Sequence, residues 1–147
     1  MASCGMLFHP CQCCLIAISG DAIAIVDHNS ESGLTRQITY SELAAISIRI
    51  SCALLALGVR PGYVVAVQLP NWWHYAAIHL ACVRIGAVIN PLMPIFRQRE
   101  LEFMLAFGEA KIFIVPEIFR AFDHKTLAVS LKNKIPSLEH IFIVGGG

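Results

Sequence analysis

Val64-Val65-Ala66-Val67-Gln68-Leu69-Pro70, Ala87-Val88-Ile89-Asn90-Pro91 and Lys111-Ile112-Phe113-Ile114-Val115-Pro116 are three short apolar runs, and each stops at a proline. Runs of this length, rich in β-branched residues, read as buried strands. Between them lie two segments with helical spacing, so the stretch from Gly62 to Pro116 alternates strand, helix, strand, helix, strand. That order predicts a parallel sheet with helices packed across it, an α/β fold. Proline has no N–H and does not continue a central ladder, so the chain is expected to leave the sheet at the carboxyl end of each strand.

The two inner helices are bounded by local signals. Asn71 stands where an N-cap belongs, Trp72 to Ile85 is helix-like, and Gly86 supplies a stop. Arg97 to Phe107 places Leu101, Met104 and Leu105 on one stripe and ends at Gly108, but its start shows no good cap. Upstream, Thr39-Tyr40-Ser41-Glu42 is a capping box, with Ile38 and Leu43 placed for a hydrophobic staple. The helix it opens carries Leu43, Ile46, Ile50, Ala53, Leu54 and Leu57 at spacings of three and four, up to Gly58. Pro61-Gly62 turns the chain from there into the first core strand. Before the capping box, Ala22 to Val26 and a run starting at Arg36-Gln37-Ile38 flank the turn-rich Asp27 to Gly33, which predicts a hairpin. Downstream, Glu117 to Phe122 reads as a connection. Asp123 caps a helix to about Asn133, and Ile141-Phe142-Ile143-Val144 is a fourth strand. A strand followed at once by Gly145-Gly146-Gly147 is expected of a domain that is interrupted.

The 147 residues suit one domain. Hydrophobic residues make up 56% and charged residues 14%, where about 25% charged is usual. Such a surface is expected to carry a contiguous apolar patch of the kind that marks a missing partner or missing domain. The net charge of +1, with Lys and Arg scattered, gives no footprint for nucleic acid. Glu42, Arg49, Arg60, Arg84 and Arg97 interrupt the apolar stretches, so none reaches the roughly 18 residues of a spanning helix. Residues 1–20 lack a basic start and read as an atypical, poorly ordered leader rather than a secretory signal, which makes the cytoplasm the expected compartment.

Cys4, Cys11, Cys13 and Cys14 crowd into that leader, but Cys11-Gln12-Cys13-Cys14 does not have zinc-site spacing and no second pair follows. Cys52 and Cys82 fall inside helices and read as buried thiols. His74 and His79 lie five apart on one helix, off the spacing that aligns metal ligands, and read as structural or surface residues. No Gly-x-Gly-x-x-Gly, no Gly-Lys-Ser/Thr and no Gly-x-Ser-x-Gly occurs. The strand-end turns bring prolines where a phosphate cradle needs glycines. No catalytic residue and no metal site is assigned from the residues alone.

Three segments carry a family resemblance: Ile38-Thr39-Tyr40-Ser41-Glu42-Leu43, Val67-Gln68-Leu69-Pro70-Asn71-Trp72, and the long run from Leu80 to Leu92, Leu-Ala-Cys-Val-Arg-Ile-Gly-Ala-Val-Ile-Asn-Pro-Leu. Together they resemble the N-terminal part of the adenylate-forming, AMP-binding acyl-CoA synthetases. The continuation from Met93 to Leu101 is similar to the branch acting on medium-chain fatty or cyclohexanecarboxylic acids. The resemblance covers about residues 21 to 144, and implies a partial N-terminal AMP-binding domain over 21–147. Enzymes of this family join a carboxylic acid to AMP using ATP and Mg²⁺ and pass the acyl group to CoA. Their phosphate loop, metal and adenylate motif, ribose-binding Asp and C-terminal Lys lie downstream of the matched region. The resemblance therefore implies a truncated ligase, inactive alone, that needs the missing downstream domains. The one position it marks is Arg120, where some relatives place a basic residue near the CoA phosphate. The alternative is a non-catalytic binding module that docks on a complementary chain.

Overall fold

The computed structural model describes residues 20–28 and 33–145. The expected leader thus lies outside the described residues apart from Gly20, and so do its four cysteines. The amino-terminal hairpin is present: β1 (Ile23–His28) pairs antiparallel with β2 (Thr35–Thr39). Helix α1 (Tyr40–Ala56) follows directly. Its capping box forms as the sequence predicts. The Glu42 N–H donates to Thr39 Oγ1 at 3.2 Å, and the Thr39 N–H donates to Glu42 Oε2 at 2.9 Å. Gly58 beyond the helix end takes φ 83°, a conformation that glycine reaches without the penalty a side chain would bring.

The four expected core strands are β3 (Val64–Val67), β4 (Val88–Pro91), β5 (Ile112–Pro116) and β8 (His140–Val144), in the spatial order β4-β3-β5-β8 with every pairing parallel. Pro91 and Pro116 are themselves the last paired residues of their strands, whereas β3 ends three residues before Pro70. The connections are α2 (Trp73–Ile85), α3 (Gln98–Phe107) and α4 (His124–Lys132). The expected simple connection after β5 is instead a small hairpin of β6 (Ile118–Phe119) and β7 (Phe122–Asp123). Its tip residues Arg120 and Ala121 have φ 50° and 59°.

Alternation along the central strands divides the core. Val65, Val67, Ile112 and Ile114 pack with Leu54 of α1 and Ile78, Ala81 and Cys82 of α2. Ala66, Phe113 and Val115 pack on the other face with Leu101 and Leu105 of α3 and Ala128 and Leu131 of α4. Because β3 and β5 are covered on both faces, their runs are apolar throughout rather than alternating. The hairpin joins at the outer side of α1 and α2 through Ile38, Leu43 and Ala77.

Several local expectations are corrected. The N-cap of α2 is Trp72 without a side-chain bond, and Asn71 is exposed. On α1, Ala53 faces solvent, while Ser47 and Ser51 are buried. Their hydroxyls are satisfied by carbonyls: Ser47 Oγ donates to Ala44 O, and Ser51 Oγ to Ser47 O and, across the interface with α2, to Ala81 O. Cys52 is exposed rather than buried, one residue off that stripe, whereas Cys82 is fully buried as expected. At the start of α3, the backbone N–H of Arg97 donates to Glu100 Oε2 at 3.1 Å, half of a capping box. Gly108 caps that helix in a right-handed conformation, and the left-handed residue is Glu109, at φ 48°.

Candidate functional site

Open parallel sheets bind ligands beyond the carboxyl ends of their strands, where successive connections depart in opposite directions. Here β4 lies to one side of β3 and β5 to the other, which places that point between β3 and β5. Three exits converge on it: Gln68 to Asn71 after β3, Leu92 to Arg97 after β4, and Glu117 to Asp123 after β5.

On the α2 side Trp72 meets Phe119 edge-to-face, with ring centroids 6.1 Å apart. On the opposite side the space is filled by a polar group. Gln68 is fully buried, and its side-chain amide donates to Met93 O at 2.9 Å and Phe96 O at 3.0 Å. Its Oε1 lies 3.3 Å from Nδ1 of His124, which is also buried, at the first position of α4. Asp123 before it caps that helix, accepting from the Thr126 N–H at 2.8 Å and hydroxyl at 2.7 Å. These two bonds hold the Asp123 carboxyl below its usual pKa. Arg97 closes the arrangement. Its guanidinium donates to Pro94 O at 2.7 Å and Phe96 O at 3.0 Å, and sits 3.9 Å from the centroid of the Phe122 ring. Burial first, and the Arg97 charge second, push the His124 pKa below its ordinary value, with Asp123 opposing.

Beside this group is a cleft of about 230 Å³ whose lining includes Leu69, Pro70, Asn71, Tyr75, Met93 and Pro94. Its lining is mostly apolar, and the polar side chains in it are those of Asn71 and Tyr75. At these exits the chain presents Pro70, Pro91 and Pro116 with the acidic Glu117, and no glycine. Such turns do not fit a triphosphate, which needs converging backbone N–H groups.

Arg120, marked from the family resemblance, stands at the exposed tip of the β6–β7 hairpin, its guanidinium 5.4 Å from the Phe119 ring centroid. It is not part of the Gln68 and His124 group. His74 and His79 are half-buried on α2, and each has a buried Nδ1 without a hydrogen-bond partner among the described residues. His74 stacks on Trp73 at 3.9 Å between ring centroids, and Arg36 lies 4.6 Å from the centroid of that same Trp73 ring. Burial lowers the His74 pKa, Asp27 opposes this, and Arg36 adds to it. Among the described residues no cluster of three or more His, Cys, Asp or Glu side chains forms, and no helix is long and apolar enough to cross a membrane.

Sequence reasoning passed over Gln68 and His124. The available signal was Gln68 itself, an amide inside an otherwise apolar strand run, which a buried site tolerates only when its hydrogen bonds are met.

The comparisons with known proteins agree with this fold. The model of the AMP-binding enzyme family matches residues 16–145. The chain is 37% identical over 121 residues to the medium-chain fatty-acid–CoA ligase of Escherichia coli, covering 82% of this chain and 20% of that protein. It is 34% identical over 125 residues to the 2-hydroxy-7-methoxy-5-methyl-1-naphthoate–CoA ligase of Streptomyces carzinostaticus, covering 85% of this chain and 21% of that one. The fold matches the crystal structure of a Brucella canis acyl-CoA synthetase with a TM-score of 0.72 and 22% identity, over 90% of this chain and 23% of that one. The chain therefore spans about a fifth of the length of these curated relatives.

Proposed function

The chain belongs to the AMP-binding enzyme family, and from that premise we propose that it is the N-terminal portion of an acyl- or aryl-CoA ligase, without adenylating activity by itself. The parent reaction joins a carboxylic acid to AMP at the expense of ATP, releases pyrophosphate, and transfers the acyl group to the CoA thiol. The observation that carries the reading is the match over nearly all of this chain to about one fifth of two ligases. Adenylation requires preorganised positive charge around a triphosphate and its metal. The exits of β3, β4 and β5 carry prolines and no glycine to gather backbone N–H groups around a triphosphate, so ATP and Mg²⁺ are assigned to the remainder of the ligase. Within this reading Arg120, on its exposed hairpin tip, is the one residue of the chain assigned to CoA, through a phosphate. A medium-chain fatty acid is the substrate class that the name of the relative from Escherichia coli suggests; the compartment proposed is the cytoplasm.

A second reading is favoured by the surface. Phe103 and Phe107 stack on the outer side of α3 with ring centroids 5.7 Å apart, and they are 67% and 81% exposed. An aromatic pair left this open suits a docking module that pairs with a complementary chain.

Two measurements test the function. The purified chain is expected to give no acid-dependent exchange of pyrophosphate into ATP, and robust exchange overturns the proposal. In extract of the source cells, the polypeptide containing Leu80 to Glu102 is expected to be several times heavier than 147 residues. A species of 147 residues that co-purifies with a larger ligase-like chain favours the docking module instead.

A further inference from the structure

We infer that Gln68 and His124 form a buried positioning relay, which holds the Met93 to Phe96 lip of the cleft in place only while His124 is neutral and carries its proton on Nδ1. The inference does not depend on the ligase reading, because it follows from hydrogen-bond direction within this chain.

Met93 O and Phe96 O are acceptors, so the Gln68 atom facing both of them is its amide nitrogen. That fixes the other end of the amide: the atom facing His124 is Oε1, an acceptor. His124 Nδ1 must then be the donor, which leaves Nε2 as the unprotonated nitrogen of a neutral ring. Nε2 is buried and has no hydrogen-bond partner among the described residues. A proton arriving there would create a buried N–H with no acceptor and a positive charge facing the Arg97 guanidinium.

The charged groups acting on the ring are known. Arg97, from the start of α3, repels a positive imidazole, and Asp123, from the cap of α4, attracts one. From the exit of β3 comes only the neutral Gln68, and from β7 the Phe122 ring, edge-on at 4.9 Å. The nearby Lys125–Glu117 pair, 3.2 Å apart, is exposed and compensates itself. The Asp123 carboxylate accepts twice from Thr126 and makes no hydrogen bond to Nε2 in this arrangement. A protonated His124 is relieved by leaving its place. Gln68 then loses the donor that orients it, and the lip loses two of its hydrogen bonds. Met93 and Pro94 line the cleft, so its shape follows the protonation of a residue that does not touch it. Gln68 and His124 are positioning residues in this scheme.

The test is nuclear magnetic resonance on the ¹⁵N-labelled 147-residue chain from pH 8 to pH 5, with an unstructured histidine peptide in the same tube as reference. Long-range imidazole correlations are expected to show His124 protonated on Nδ1 and bare on Nε2 at pH 7, with a midpoint below that of the peptide. The backbone amides of Met93, Ile95 and Phe96 are expected to shift along the His124 curve and not along that of His74. His124→Asn keeps a side-chain N–H donor and takes no proton, so those amides are expected to hold their pH 7 positions down to pH 5. An Nε2–H tautomer, a midpoint at or above the reference, or lip amides that still follow pH in the Asn variant overturns the relay. Should the Asn variant not fold, the tautomer and midpoint of the unsubstituted chain decide.

Discussion

Replacing Gln68 by methionine keeps the length and approximate volume of the side chain and removes its hydrogen bonds, so the cost can be worked from the structure. The two carbonyls it serves are not orphaned. Met93 O also accepts the Phe96 N–H at 3.1 Å, and Phe96 O also accepts from the Arg97 guanidinium at 3.0 Å. Losing those two bonds costs about 0.5–1.5 kcal/mol each. The His124 Nδ1–H has no other acceptor, and a buried donor left unpaired costs about 1–3 kcal/mol. The sum is roughly 2–6 kcal/mol, centred near 4. For a chain of this size that lowers Tm by roughly 8–16 °C. Urea unfolding followed by the fluorescence of Trp72 and Trp73, which adjoin this region, measures it. A further substitution, His124→Leu, removes the stranded donor, so the double variant is expected to lose less than the sum of the singles. A loss below about 1 kcal/mol for Gln68→Met, or strict additivity in the double variant, refutes the hydrogen-bond assignment.

Thr39→Ala removes the hydroxyl that accepts the Glu42 N–H and is expected to cost about 1 kcal/mol in the same urea assay; an unchanged midpoint would show that the cap is dispensable. His74 and His124 both have pKa values lowered by burial from 6.5, so the unfolded chain binds more protons than the folded one below that pH. Their stabilising contribution is complete above 6.5 and is lost as pH falls through the depressed values. The urea midpoint should therefore drop between pH 7.5 and pH 5.5, before Asp123 and Glu100 take up protons, and a flat profile over that window contradicts the burial of the two rings. The Cys82 thiol is pushed up to about 11 by burial, while Cys52 is exposed. Brief alkylation at pH 8 with mass mapping should label Cys52 and spare Cys82 in the folded chain, and equal labelling would refute the burial of Cys82.

The sheet and its helices were legible because each signal was local and redundant: apolar runs bounded by Pro91 and Pro116, the Thr39–Glu42 box, and Gly58 and Gly86 at helix ends. What the sequence hid depended on partners far along the chain. Ser47 and Ser51 are buried because their hydroxyls find carbonyls, one of them Ala81 O on another helix. Cys52 is a small apolar residue one position off the buried stripe, and periodicity does not resolve one position at a helix edge. Asn71 had the right chemistry for a cap, but the chain turns one residue later, with the Trp72 N–H bonded to Pro70 O. The candidate site was the least legible part. Gln68 and His124 are 56 positions apart, and only the pairing of β3 with β5 brings their surroundings together. Arg120, singled out by resemblance, stands on the β6–β7 tip beside the Phe119 ring.

The strand order β4-β3-β5-β8 also says how the sheet can be built on the ribosome, where chains emerge from the N-terminus. As the chain emerges, β3 meets β4 first, β5 then joins the side of β3 still vacant, and β8 joins β5. Every newcomer adds to an outer margin of a ladder already laid down, and none has to pry two paired strands apart. Synthesis and assembly can therefore run in the same direction, with no step waiting for an earlier one to be undone.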